Sequence, residues 1–93
     1  MVTCVLEKVV HRQNLYRFYI VSLEPTLFGM VALVRCWGRI GSPRGQRQET
    51  WFESEEQAMQ AFARIIAAKR RKGYAEVSGS KRIHTPNPQD EEC

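Results

Sequence analysis

No connection between the extended segments of the first 52 residues is longer than five residues. The segments are TCVLEKVV (Thr3–Val10), LYRFYIVSLE (Leu15–Glu24), MVALVRCWGRI (Met30–Ile40) and QRQETWF (Gln46–Phe52). They alternate in apolar character or are rich in β-branched and aromatic residues, as a pleated surface requires. The polar turn HRQN and the Pro- and Gly-bearing PTLFG and GSPRG separate them. Parallel neighbours need a crossover of about a dozen residues or more, and none is present. The spacing therefore predicts an antiparallel meander of about four strands.

The period changes after Phe52. Ser54, with Gln57 three residues on, forms a capping-box pattern, and Glu55 and Glu56 suit the positive end of a helix. Ala58, Met59, Phe62, Ile65 and Ile66 recur at helical spacing as one apolar face. Lys69, Arg70, Arg71 and Lys72 fill a last turn, and Gly73 is placed to end it. Roughly 18 residues at ~1.5 Å each give ~27 Å of helix, enough to cross a four-stranded sheet. The expected class is α+β: a small antiparallel sheet with one long C-terminal helix packed on it. Residues 1–75 are expected to form this domain. Residues 76–93 are read as a flexible polar tail, with a short docked piece near Val77 or Ile83 as one option.

The longest apolar run, LFGMVALV (Leu27–Val34), is far short of the ~20 residues a membrane span needs. The N-terminus lacks a basic start followed by an apolar block. Three widely spaced cysteines, Cys4, Cys36 and Cys93, point to reduced thiols and a cytoplasmic setting. The net charge is +4, but residues 1–75 carry 12 Lys+Arg against 6 Asp+Glu. Ten of the 14 basic residues are arginine, the side chain suited to bidentate phosphate contact and ring stacking. That balance points toward a nucleic acid as partner.

The basic residues concentrate in RCWGRIGSPRGQR (Arg35–Arg47), which holds four arginines and no acid. On a regular strand Arg35, Trp37 and Arg39 share one face. Two readings stand on that spacing. In one, Trp37 half-covers the sheet while the arginines extend to solvent. In the other, Trp37 stacks on a base, Arg35 and Arg39 hold phosphate, and Gly38 lets a ligand approach closely. GSPRG is a hairpin turn and not a phosphate loop, since no Gly-Lys-Ser/Thr follows a strand. Arg44 and Arg47 add charge beside it. The cations Lys69, Arg70 and Lys72 match a solvated helix end, and join a binding surface only if the fold sets them beside the arginine hairpin. His11 and His84 lack partners at metal spacing, and no Cys-x-x-Cys exists. Neither a metal, a cofactor nor an acid–base constellation is indicated, so no enzyme is expected.

WGRIG (Trp37–Gly41), after the aromatic strand YRFYIVSLE and before F-x-S-x-x-x-A-x-x-x-F and KRRKGY, resembles a WGR domain over about Asn14–Tyr74. The resemblance implies an antiparallel sheet crossed by a helix. It also implies DNA-end binding, the role of such domains in DNA-damage-responsive poly(ADP-ribose) polymerases, where binding is relayed to a catalytic domain. Short bacterial proteins carry the domain too. By that pattern Trp37 stacks on a nucleotide, Arg39 contacts phosphate or a neighbouring domain, and Gly38 permits close approach. The chain has no room for an ADP-ribosyltransferase domain. The expectation is a non-enzymatic module for nucleic acid, DNA in preference to RNA, and in particular for DNA ends or nicks. The rival expectation is a protein-interaction module in which Trp37 and Arg39 bind a partner or mediate self-association.

Overall fold

The computed structural model describes residues 2–77. Four strands, β1 (Thr3–Val10), β2 (Leu15–Pro25), β3 (Val31–Arg39) and β4 (Gly45–Phe52), precede a helix, α1 (Glu55–Arg71). A fifth strand, β5 (Ala75–Glu76), pairs with β1. The sheet runs β4-β3-β2-β1-β5, with every neighbouring pair antiparallel. The meander and the α+β class are as the short connections require. The sheet has five strands where about four were expected, because a two-residue strand is too short to show a period. It lies across the expected 75/76 boundary, and the Val77 amide donates to the Val5 carbonyl at 2.9 Å. The expected flexible tail beyond Val77, with Ile83, His84 and Cys93, lies outside the described residues.

Register follows from the turns. The β2–β3 pairs are symmetric about the turn at Phe28, so Tyr19 faces Trp37, Val21 faces Arg35 and Arg17 faces Arg39. β3 starts one residue later than its sequence pattern suggests. Met30 belongs to the turn: its amide donates to the Leu27 carbonyl at 3.4 Å, and its carbonyl accepts the Thr26 hydroxyl at 2.7 Å.

One face of the sheet carries Cys4, Leu6, Tyr19, Val21, Leu23, Val31 and Leu33, and α1 lays Ala58 and Phe62 on it. Leu6, Val21 and Leu23 are fully enclosed. Such burial contributes about 1.5–3 kcal/mol per side chain. Phe52, Ala61, Ile65 and Ile66 close the edges. Met59, expected on the same stripe, is 42% exposed, because it lies at the margin of the helix's apolar arc. Ala32, Val34 and Cys36, with Phe18 and Ile20, form a thinner cluster on the opposite face. Cys4 and Cys36 are both buried, and neither forms a disulfide among the described residues.

The helix ends are built as their residues dictate. The Ser54 hydroxyl accepts the Gln57 amide at 3.1 Å. At the other end Gly73, at φ 101°, lets its own amide reach the Arg70 carbonyl and the Tyr74 amide reach the Lys69 carbonyl, each at 3.0 Å. That pair of bonds is a Schellman closure, and it folds Tyr74 back toward the sheet.

Candidate nucleic-acid interface

The helix crosses the sheet toward the end where β2 begins and β3 finishes. There the face beneath it changes from apolar to basic. The register sets Leu6, Tyr19, Trp37 and Gln46 in one row across four strands. The next row outward is Lys8, Arg17 and Arg39, directly opposite one another on β1, β2 and β3. Like charges placed opposite on neighbouring strands repel, at a cost of tenths of a kcal/mol to about 1 kcal/mol per pair. Among the described residues the acidic partners belong to Arg47, through Glu49, and Arg70, through Glu76, and not to this row.

Two open clefts meet at this point. The larger, about 610 Å³, opens at the strand ends and is lined by Arg17, Trp37, Gly38, Arg39, Arg44 and Gln46 among others. The smaller, about 360 Å³, lies under the end of α1 and is lined by Arg17, Tyr19, Arg35, Trp37, Gln48, Lys69 and Tyr74. Arg17 and Trp37 belong to both. The indole of Trp37 is half-buried and lies nearly parallel to Tyr19, with 5.8 Å between ring centroids and 17° between planes. Tyr74 meets Tyr19 edge-on at 6.2 Å.

Charge is packed onto these rings. The Lys69 ammonium sits 4.3 Å from the centre of Tyr19 and 5.3 Å from that of Tyr74. Such contacts hold a cation over a ring without neutralising it. Partial burial pushes the Lys69 pKa down, and the nearby charges of Lys72, Arg35 and Arg17 push it the same way. The Tyr19 hydroxyl is pushed up by burial, with Arg35 opposing. Arg35 donates to that hydroxyl at 3.4 Å and to the side-chain oxygen of Gln48. Its Nε is buried and without a hydrogen-bond partner among the described residues. Arg39 is exposed at the strand end, 5.5 Å from the Tyr16 ring centre, and reaches the Asn14 carbonyl at 3.4 Å. A cleft of this kind suits an anion carrying a flat ring: phosphate among the cations, and the ring against the indole.

The structure brings together Arg35, Trp37, Arg39, Arg44 and Lys69 of the residues singled out by sequence. Lys72 stands near enough to Lys69 to act on its charge. Two others lie elsewhere. Arg47 pairs with Cys36 across the strands, on the face away from α1, and is ion-paired to Glu49 at 3.1 Å. Arg70 points to the β5 edge, where it meets Glu76. Gly38 has a local reason to be glycine. A Cβ there would stand 3.1 Å from the Arg44 carbonyl oxygen, 3.2 Å from the Phe18 ring and 3.3 Å from Gly45 Cα. The space a side chain would take there is filled by the protein's own hairpin, while Gly38 also lines the larger cleft.

Arg17, Tyr19 and Tyr74, which line the clefts, and Lys8, in the row beside them, belong to the candidate site and were not singled out from the sequence. The turns carried the missing signal: reflecting β2 about PTLFG sets Arg17 against Arg39, and reflecting β1 about HRQN sets Lys8 against Arg17. Among the described residues no group of three or more His, Cys, Asp or Glu could hold a metal ion. Among them no helix is long and apolar enough to cross a membrane.

Comparison with known proteins agrees with this geometry in kind. A family model described as the WGR domain matches residues 2–81. The uncharacterized protein y4dW of Sinorhizobium fredii is 41% identical over 69 residues, 74% of this chain and 33% of that protein. The chain thus spans a third of the length of the curated relative it matches.

Proposed function

Because this chain belongs to the WGR family, which in poly(ADP-ribose) polymerase-like proteins is linked to nucleic-acid binding, we propose that its basic cleft is a non-enzymatic receptor for DNA ends or nicks. The observation that carries the reading is the row Lys8–Arg17–Arg39 beside Trp37. Three cations opposed across adjacent strands are costly in isolation and become favourable when a polyanion lies over them. An end or nick offers what a continuous duplex does not: an unstacked base face that Trp37 can meet, with backbone phosphates on either side. Arg17 and Arg39 take phosphate at the open cleft. Arg35 and Lys69 take it beneath the end of α1, and Arg44 flanks the entrance.

The test is anisotropy binding to a short open duplex and to the same duplex closed by loops at both ends, over a series of salt concentrations. The open duplex is expected to bind more tightly. Arg17→Ala should flatten the slope of log K against log salt by about 0.9, one phosphate's share. Trp37→Ala should cost about 1–3 kcal/mol, a loss of roughly 5- to 150-fold, on the open duplex and much less on the closed one. Equal affinity for the two substrates would remove the end preference. Absence of binding at low salt would remove the function.

A further inference from the structure

We propose that the turn between β2 and β3 is a docking prong for a second copy of this chain, with Phe28 entering that copy's larger basic cleft and resting against its Trp37. The inference uses the same cleft as the nucleic-acid reading and does not depend on it.

The prong is apolar and open. Leu27 is 70% exposed and Phe28 92%. Phe28 and Gly29 both hold positive φ, 63° and 76°, a conformation that suits glycine and strains a residue with a Cβ. So exposed a ring packs on little of its own chain, and burial does not repay that strain. The turn itself is firm. The Thr26 amide and hydroxyl both donate to the Met30 carbonyl, at 3.0 and 2.7 Å. A side chain presented on a closed turn loses less freedom on docking. Large aromatic side chains that enter a partner's pocket are common anchors of interfaces.

Charge selects the pocket. Between Arg17 and Arg35, and again between Arg47 and Arg64, the sequence has no lysine or arginine. Those stretches form the end of β2, the start of β3, the end of β4 and the first turns of α1, which meet at the prong. Glu24, Glu53, Glu55 and Glu56 are exposed there. The opposite end of the strands holds the larger cleft, lined by Tyr16 and Trp37 and charged by Arg17, Arg39 and Arg44. An apolar ring framed by acids thus meets an aromatic wall framed by arginines. Prong against prong would set acids against acids, which disfavours a symmetric contact at the turn.

A chain cannot fill its own cleft, because Arg17 and Pro25 stand ~27 Å apart along β2 at ~3.4 Å per residue. The contact is therefore heterologous. A copy that docks its prong still offers its cleft, and the copy that receives it still offers its prong. Contacts of this kind build open chains and not closed pairs. A nucleic acid held in the cleft would exclude the prong.

Sedimentation equilibrium at low salt, without nucleic acid and over a concentration series, tests this. The wild-type mass is expected to rise past twice that of the chain. Phe28→Asn removes the ring and keeps a residue that tolerates the left-handed region. Arg39→Glu reverses a charge of the cleft. Both positions are exposed, and circular dichroism establishes that each variant is folded. Each alone should stay monomeric. Mixed in equal amounts they should form pairs and stop there, because one supplies the only working cleft and the other the only working prong. A wild type that does not pass twice the chain mass overturns the proposal. So does a variant that associates by itself, or a mixture of folded variants that does not pair. With no nucleic acid present, these outcomes leave the DNA-end reading to its own test.

Discussion

Phe28 shows how one residue can act against its own fold. It sits at φ 63°, ψ 25° and is 92% exposed. The left-handed region costs a residue with a Cβ about 1–2 kcal/mol, and so exposed a ring recovers none of it by packing. Phe28→Gly should therefore raise unfolding stability by about 1 kcal/mol, read from the urea midpoint at unchanged slope. A lower midpoint would show that the ring supports the turn. Gly38 is the converse. Its missing side chain is what allows β3, the Arg44 carbonyl and Gly45 to close on one another. Trp37 needed both kinds of information. Strand parity set it on one face with Arg35 and Arg39, as the register bears out. Parity could not say that Tyr19 would lie parallel to it, because that depends on pairing across the turn.

Elements differ in how openly they are written. α1 was legible at both ends because its caps are local chemistry. Ser54 reaches only three residues ahead, and Gly73 acts through its own φ. Ser54→Ala should cost about 1 kcal/mol of global stability by leaving the Gln57 amide without its acceptor, and a thermal melt would detect it. Undiminished stability would mean that water serves as well. The strands were legible as elements, and their short turns gave the meander. Their register was not read, and with it went Arg17 and Lys8, both remote in sequence from the Trp-Gly-Arg triplet. Arg47 illustrates the same gap. It is ten residues from Trp37 in a basic run, yet strand parity after the β3–β4 turn sends it to the far face. β5 left no pattern at all, since it is defined by its partner β1 and not by its own two residues.

For the molecule as a whole, stability is tied to pH through groups the sheet encloses. Burial, with Glu76 nearby adding to it, pushes the Cys4 thiol from 9.0 up to about 11. Between those values the native state keeps a proton that the unfolded chain has released. Stability is thus fully present below pH 9 and declines as pH rises toward 11. The raised Tyr19 hydroxyl acts in the same direction at higher pH, while the lowered Lys69 opposes both. Comparison of wild type with Cys4→Ala isolates the thiol. The variant's urea midpoint should fall less steeply with pH across that window, and parallel curves would show that Cys4 does not govern the decline.

The pairing of β5 with β1 has a consequence for architecture. The chain enters the sheet at Thr3 and leaves it at Val77, whose amide is bonded to Val5. Entry and exit are therefore neighbours on one edge, across the sheet from β4. A unit with adjacent ends can be spliced into a longer polypeptide much as a loop is, without prying its host apart. Polypeptide joined at Thr3 and at Val77 would start from the same edge of the sheet, the one opposite β4.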